Sequence, residues 1–370
     1  MNRERILSTL VILGLCAPVA QANHHLTASL ESRNAALKSA GALAFGPEGI
    51  LFVGDAKGAA VYALATGDTK KAKSSTGFKV QGIDRKAAAA LGTTAENIII
   101  NDLSVNPISR NAYLSVSRGR GPDAAPAILK VTAGGDISVL KLNNIPHASA
   151  ALPNAPKDEM TGQGRRRRNN RQSSITDLAY VAGKVLVAGL SNEEFASNLR
   201  SIPFPFKKVN KGSGVEIFHG AHGKFETHSP VRTFVPFEIE KEAHLLAAYQ
   251  CTPLVRFPVS DLQPSARIRG TTIAELGNRN RPLDMIVYKK DGKDFVLIAN
   301  SSRGIMKLSG DAIVAGTQIP ERRASDPTGT KYETIKAWTG IDQLDKLGGG
   351  SALVVQRDGD SVDLISKPLP

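Results

Sequence analysis

Four aspartates occupy the same place in a recurring segment of the chain: Asp102, Asp177, Asp284 and Asp342. Each precedes a short apolar run, which is followed by a turn and a second apolar run. Carboxylate oxygens gathered at one site could hold a hard divalent cation such as Ca²⁺. They could instead hold arginine side chains that bind a carboxylate or phosphate group. A third interpretation is structural, because an aspartate at the start of a strand often accepts backbone N–H groups of the adjoining turn.

The repeated segment predicts the fold. Its clearest copy spans 284–308, where three apolar runs are separated by polar turns, and two further copies at 43–64 and 244–259 lack the aspartate. Six strand-only units, none able to bury its faces alone, predict an all-β, six-bladed β-propeller that closes as a single domain with loop insertions. We expect this domain to span 41–370, after an N-terminal segment at 23–40.

Propeller geometry gives the polar residues a common location. The innermost strands begin at one mouth of the central channel, and the turn after each second strand returns to that face. Loops that converge there commonly build ligand sites. An insertion in the third unit, 191–214, would partly cover this mouth with Phe195, Phe204 and Phe206. Besides the four aspartates, the predicted ligand-binding residues are Arg118, Asn192, Cys251, Asn300, Arg303 and Arg357.

Two segments resemble blades of known propellers. The run Gly-Pro-Glu-Gly-Ile-Leu-Phe-Val-Gly-Asp at 46–55 and the unit at 284–308 are similar to the NHL, YncE-like and SMP-30/gluconolactonase groups. The last resemblance implies a divalent cation held by a glutamate, asparagines and an aspartate at the channel mouth, where it would activate water against a lactone. Phe45 stands where that glutamate is expected, with Glu48 inside the turn, and Asn300 stands where the aspartate is expected. A metal-dependent lactonase or esterase is therefore an alternative to a binding or docking module, and whether the protein is an enzyme stays open.

The first 22 residues predict export. A basic start, an apolar centre at 6–15 and a small-residue end are typical of a secretory signal peptide cleaved between Ala22 and Asn23, which predicts a periplasmic or secreted protein. No later segment approaches 18 uncharged apolar residues, so no transmembrane span is expected. Cleavage would leave Cys251 as the sole cysteine, so stability has to come from a large core.

The formal net charge of +13 favours an acidic protein partner or a small anionic ligand. Segment 153–174 lacks an apolar period, and we predict that it is a mobile loop that contacts a polyanion or a partner. Its arginines are Arg165, Arg166, Arg167, Arg168 and Arg171. Export and the absence of interleaved aromatic residues argue against nucleic acid as the partner. Solubility alone is the other interpretation of this charge.

Histidines suggest transition-metal chemistry. Signal cleavage would expose Asn23-His24-His25, in which the terminal amine, two amides and the imidazole of His25 could bind Cu²⁺ or Ni²⁺ in a square plane. His219 and His222 fall at the tip of a predicted hairpin and could contribute to a metal site. A copper-handling or redox-partner role is thus a third functional alternative, although a frayed tail and a polar hairpin tip explain the same residues.

Overall fold

The computed structural model describes residues 25–72, 77–164, 167–322 and 327–370, without the side chains of Cys251, Thr252, Asn278 and Arg279. The predicted signal peptide, Asn23 and His24 of the predicted copper motif, and Arg165 and Arg166 of the basic segment lie outside the described residues. Within those ranges, no helix has the length and apolarity needed to cross a bilayer.

The strands form six radial sheets, which confirms the all-β, six-bladed β-propeller. Blades are numbered by the order in which their innermost strands occur in the chain. Blade 1 contains β2 (Leu43–Phe45), β3 (Ile50–Asp55), β4 (Ala60–Ala65), β10 (Ile145–Ala151) and the edge strand β1 (Glu31–Arg33). Blade 2 contains β6 (Ile98–Val105), β7 (Ala112–Arg118), β8 (Ala125–Val131) and β9 (Ile137–Val139).

Blades 3 to 6 follow the same plan. Blade 3 contains β13 (Asp177–Val181), β14 (Lys184–Leu190), β15 (Ser197–Pro203), β16 (Ser213–His219), β17 (Lys224–Glu226) and β21 (Arg267–Arg269). Blade 4 contains β18 (Val231–Ile239), β19 (Glu242–Tyr249), β20 (Cys251–Pro258), β22 (Thr271–Asn280) and β26 (Thr328–Gly329). Blade 5 contains β23 (Pro282–Lys290), β24 (Lys293–Asn300), β25 (Gly304–Ser309) and β27 (Glu333–Thr334). Blade 6 contains β28 (Ile341–Gly348), β29 (Ser351–Asp358), β30 (Ser361–Pro368) and β5 (Lys79–Val80). In the described residues, two α-helices lie outside the blades: α1 (Ile83–Leu91) and α2 (Gly310–Ala315). The small hairpin of β11 (Met160–Thr161) and β12 (Arg168–Asn169) also lies outside them.

Local sequence explains the hairpins within each blade. Between β23 and β24, Asp291 and Gly292 both adopt positive φ values, 50° and 76°. Two successive left-handed residues match the right-handed twist of the flanking strands, and Asp-Gly tolerates this backbone. Both flanking strands carry a continuous apolar run, Met285–Tyr288 in β23 and Phe295–Ala299 in β24, whose residues pack on the two faces of the blade against the neighbouring blades.

The blades do not follow one another around the ring in chain order. Innermost strand β2 contacts both β6 and β13, and β28 contacts β6. The order around the channel is therefore blade 1, 3, 4, 5, 6 and 2. Six separate apolar clusters fill the six junctions between neighbouring blades.

Two crossing connections produce this order. After β4, the chain pairs as β5 with the outer strand β30 of blade 6, and α1 then packs between blades 6 and 2. Having built blade 2, the chain returns as β10 and pairs with β4 of blade 1. Segments distant in sequence thus complete blades 1 and 6 and hold the ring closed.

The interpretations of two irregular segments need correction. Segment 191–214 is not an insertion that covers a mouth, because β15 is the regular third strand of blade 3. Phe204 is buried, and its ring centroid lies 5.0 Å from that of Phe52 in blade 1 and 5.1 Å from that of Phe206. Phe195 lies under the guanidinium of Arg267, 4.8 Å from ring centroid to Cζ. These aromatic rings pack within and between blades instead of facing a ligand.

Segment 153–174, predicted as a mobile loop, contains β11, β12 and a 3₁₀ turn at Asn170–Ser173. The Arg171 side chain donates a hydrogen bond to the Pro156 carbonyl. The Asn169 side-chain amide donates to Asp158 at 2.7 Å. Local hydrogen bonds, not an apolar period, hold the described part of this segment, whereas Arg167 and Arg168 are exposed.

Candidate functional site

Four aspartates meet at the central channel, and one of them differs from the predicted set. Asp102, Asp177 and Asp284 line the channel as expected, but the fourth is Asp345 instead of Asp342. A bulge between Ile341 and Gln343 leaves Asp342 without a strand partner. Its side chain turns to the surface, where it accepts a hydrogen bond from Arg357 at 3.1 Å.

Each channel aspartate joins its own strand to the next blade. One oxygen accepts the N–H of the following residue, and the other accepts an N–H from the neighbouring innermost strand. The second bonds are Asp102 to Leu43 at 2.6 Å, Asp177 to Phe234 at 2.7 Å, Asp284 to Leu344 at 2.8 Å and Asp345 to Val105 at 2.7 Å. All four point in the same direction around the ring. The aspartates therefore accept backbone N–H groups, as the structural interpretation expects. However, the second N–H group belongs to the neighbouring blade and not to the adjoining turn.

The channel raises the pKa of all four carboxyl groups. Burial is the main cause in each case, and it raises the pKa of Asp177 to about 6 and that of Asp345 above its usual range. Burial followed by the nearby charge of Asp177 raises the pKa of Asp102 well above its usual range. Burial followed by the charge of Asp102 does the same for the pKa of Asp284. Backbone N–H groups offset these effects only in part, so a cation in the channel would relieve the repulsion.

A cavity of about 670 Å³ extends from these carboxylates towards the ends of the innermost strands. Its walls are mostly apolar and include Val105, Tyr180, Val181, Val235, Met285 and Val287. Arg110 and Lys346 also line it. The guanidinium of Arg110 donates to the Leu347 carbonyl at 2.6 Å, which ties it to blade 6. The site thus combines an acidic end with an apolar body.

The predicted turn residues lie on the opposite face, where the innermost strands begin. Strand register places Arg118 beside Ile98 at the start of β6, and Asn300 beside Pro282 at the start of β23. These turns lie where the innermost strands begin, whereas the cavity with the carboxylates extends away from them. The structure therefore does not bring the arginines and the four aspartates to one mouth.

Local contacts account for most of these turn residues. Arg118 donates to the Leu91 carbonyl at 3.2 Å. The Asn300 side-chain oxygen accepts the N–H groups of Ser302 and Arg303 at 3.0 and 3.2 Å. Asn192 is exposed at the end of blade 3, and the side chain of Cys251 lies outside the described residues.

Two clefts occupy this strand-start face. One of about 390 Å³, between blades 5 and 6, is lined by Asn300, Arg303 and Asp342. Another of about 610 Å³, between blades 6 and 2, is lined by Asp342 and Arg357 among residues of both charges. Acidic and basic groups both line the second cleft, so neither sign of ligand charge is favoured there.

The residues implied by the gluconolactonase resemblance do not converge. Glu48 accepts the N–H groups of Leu26 and Thr27, both at 3.1 Å, and so holds the N-terminal segment. Asn300 caps its own turn, and Phe45 lines the channel cavity. His25 lies 3.6 Å from Glu48, measured from Nδ1 to Oε1. These contacts assign structural roles to the residues that a lactonase would use for its cation.

Across the described ranges, only one group brings three potential metal-ligating atoms of His, Cys, Asp or Glu within 4.8 Å of one another: His219, His222 and Glu226. The channel aspartates are therefore too widely spaced to surround one bare ion together. The predicted hairpin with its two histidines is present as β16 and β17. Glu226 was not predicted, and its only sequence signal is that it shares the strand face of His219 across the hairpin.

Comparisons with known proteins identify no family for this chain. Neither a described protein family nor a curated protein matches the chain. Among solved structures, it is similar to Drosophila Plexin A in complex with Semaphorin 1b, with 10% identity, 91% of this chain and 88% of the other covered, and a TM-score of 0.37. It is also similar to the PQQ-bound aldose sugar dehydrogenase of Streptomyces coelicolor, with 10% identity, 91% of this chain and 96% of the other covered, and a TM-score of 0.33. A third structure is a putative oxidoreductase, described as a glucose dehydrogenase, from Thermus thermophilus, with 11% identity, 91% of this chain and 99% of the other covered, and a TM-score of 0.30. No functional conclusion follows at these TM-scores.

Proposed function

We propose that the protein is an exported β-propeller that binds a small organic cation in its central channel. The observation that carries this proposal is the meeting of four carboxyl groups of raised pKa at one end of a single, largely apolar cavity. Perturbed acidic groups in a concave, apolar pocket are typical of a ligand site. Export is supported by the signal-like pattern of residues 1–22.

Size and chemistry favour an organic cation over a metal ion. A volume of about 670 Å³ lies within the range of small-molecule pockets, roughly 300–1,000 Å³. Because the carboxylates are spread around the channel, a primary or quaternary ammonium group could contact several of them without bonds of metal–ligand length. The apolar walls would cover the hydrocarbon part of the same ligand. An alkyl amine or diamine therefore fits better than the anionic ligand expected from net charge.

An acidic protein partner, if one exists, would have to use the outer surface, where Arg167 and Arg168 are exposed. Such an association would weaken with added salt because exposed charges are screened. Binding in the channel would be less sensitive to salt, since its charges are partly buried. The two modes of binding are therefore distinguishable in one protein.

Calorimetric titration with a series of alkyl monoamines, α,ω-diamines and quaternary ammonium ions tests the channel. We expect at least one of these classes to bind with one molecule per protein. Asp345→Asn, which removes a charge from the cavity, should weaken binding by about tenfold or more, because a charged hydrogen bond contributes about 1.5–3 kcal/mol.

Asp342→Asn is the matched control, because Asp342 belongs to the same blade but lies outside the cavity. Its amine affinity should remain that of the unaltered protein. Failure of every amine class to bind, or an equal loss in Asp342→Asn and Asp345→Asn, would refute the proposed site.

A further inference from the structure

A cluster of three potential metal ligands lies at the outer edge of blade 3, remote in the fold from the channel. We propose that His219, His222 and Glu226 form a binding site for a divalent transition-metal ion such as Zn²⁺. This site is independent of the cation proposed for the channel. It differs from that site in its ligands, because it offers two imidazole nitrogens and one carboxylate.

The three side chains already face one another. The carboxylate of Glu226 lies 3.0 Å from Nδ1 of His219 and 2.6 Å from Nδ1 of His222. The imidazole ring centroids are 3.9 Å apart, and one potential ligating atom from each side chain lies within 4.8 Å of the others. Two histidines and one carboxylate with room for water are typical of an open zinc site.

The hairpin geometry explains this convergence. Ile217 pairs with Glu226 and His219 pairs with Lys224 in the antiparallel ladder. Side chains alternate between the two faces of a strand, so His219 lies on the same face as Ile217, two residues earlier. Glu226, the partner of Ile217, also lies on that face. In the turn, the His219 carbonyl accepts the N–H groups of His222 and Gly223 at 3.1 and 2.8 Å. This tight turn folds His222 back over the same face.

Blade 4 supports the hairpin from behind. The buried carboxylate of Glu275 accepts the backbone N–H of Gly220 at 2.5 Å. The Thr272 hydroxyl donates to the Phe218 carbonyl at 2.7 Å. Both residues belong to β22, so the backbone on either side of His219 is anchored to a neighbouring blade. A ligand set held by a rigid scaffold loses less freedom when an ion binds.

Charge and access also suit a metal ion. The His219 side chain is 4% exposed and that of His222 is 52% exposed, so an ion can arrive from solvent and meet a partly desolvated centre. Glu226 contributes the carboxylate of the ligand set. A bound ion would replace the protons that the imidazoles now share with this carboxylate.

Titration of the untagged full chain with Zn²⁺, followed by calorimetry, and with Co²⁺, followed by visible absorption, tests this inference. We expect one equivalent of Zn²⁺ and the intense visible bands of low-coordinate Co²⁺. His222→Ala and Glu226→Gln should each lower Zn²⁺ affinity by at least about tenfold, since even the outer partners of metal ligands commonly contribute 10–100-fold. Both changes are at the hairpin tip, so the propeller should stay folded.

His228→Ala is the matched control, because His228 is exposed two residues beyond Glu226 and contacts the Thr227 hydroxyl at 2.9 Å. It should leave Zn²⁺ affinity unchanged. The proposal is overturned if the protein binds no stoichiometric Zn²⁺ or if His222→Ala and Glu226→Gln both retain full affinity. Loss of the bound ion in His25→Ala alone would equally overturn it, by placing the ion at the N-terminal segment. Amine binding in the channel should be the same with and without Zn²⁺, so the two proposals can fail separately.

Discussion

The carboxylate of Asp102 accepts the backbone N–H of Leu43 at 2.6 Å, and this bond joins blade 2 to blade 1. The same arrangement recurs at three more junctions, through Asp177, Asp284 and Asp345. These repeated aspartates, which the sequence suggests as ligands, therefore also form hydrogen bonds that join neighbouring blades. The consequence is a channel in which burial raises the pKa of all four carboxyl groups, and in which nearby aspartate charges further raise the pKa of Asp102 and Asp284.

Removing one of these interblade aspartates should lower the free energy of unfolding. Asp284→Ala leaves the N–H groups of Met285 and Leu344 without their acceptor, and each unpaired buried donor costs about 1–3 kcal/mol. Relief of carboxylate repulsion offsets part of this cost, so we expect the free energy of unfolding to fall by about 1–3 kcal/mol. Urea denaturation measures the change.

Asp342→Ala provides the comparison for that experiment, because Asp342 forms an exposed ion pair with Arg357. Such a pair contributes about 0–1 kcal/mol. Equal destabilisation by Asp342→Ala and Asp284→Ala would contradict a stabilising role for the hydrogen bond between Asp284 and the neighbouring blade.

Asp177 should make the protein less stable as the pH rises through the weakly acidic range. Its pKa is about 6 in the folded protein, above the ordinary value of 3.8. Between these values, the folded state binds more protons than the unfolded state, so the free energy of unfolding decreases with rising pH and levels off above about 6. Urea denaturation from pH 4 to 7.5 should show a smaller decrease in Asp177→Asn than in the unaltered protein. An identical pH dependence in the two proteins would exclude Asp177 as its source.

Closure of the ring by β5 gives a third prediction. Phe78 is buried in the cluster between blades 2 and 6, and its backbone N–H donates to the Ser366 hydroxyl at 3.1 Å. Phe78→Ala should cost about 3–5 kcal/mol of unfolding free energy, as for other buried aromatic truncations. The neighbouring exposed Lys79→Ala should cost less than about 0.5 kcal/mol. A small effect of Phe78→Ala would mean that β5 does not hold blade 6.

Much of the architecture was accessible from the sequence because each blade is a local unit. Alternating apolar runs and Asp-Gly or Gly-Pro turns specify strands and hairpins over about 25 residues, without reference to the rest of the chain. The order of the blades was not accessible. It depends on β5 and β10, two short strands whose partners, β30 and β4, lie far away in sequence.

The site was predicted only in part for the same reason. Asp102, Asp177 and Asp284 were found because they recur at one place in a repeat. Asp345 was missed because a bulge at Ile341 and Gln343 shifts the register, so that Asp342 keeps the repeated position in sequence but leaves the channel in space. Glu226 was missed because pairing across a hairpin, and not spacing along one strand, brings it to His219.

The proposed channel ligand should bind less tightly in mild acid. Because the pKa of Asp177 is about 6, protonation below that value removes negative charge that an ammonium group would contact. We expect the affinity for the best amine to decrease between pH 7 and pH 5, and binding near pH 6 to release protons. Calorimetry in buffers of different ionisation enthalpy measures both effects. Affinity that is constant over this range would argue against contact with the carboxylates.

A crystal structure of the protein with the tightest-binding amine would locate the ligand relative to the four channel carboxylates. We expect an ammonium nitrogen within about 3 Å of a carboxylate oxygen of Asp102, Asp177, Asp284 or Asp345, at the usual distance of a charged hydrogen bond. The hydrocarbon part should lie against Val181 and Val287. An amine bound only on the strand-start face beside Asp342 and Arg357, with the channel holding none, would contradict binding at the channel carboxylates.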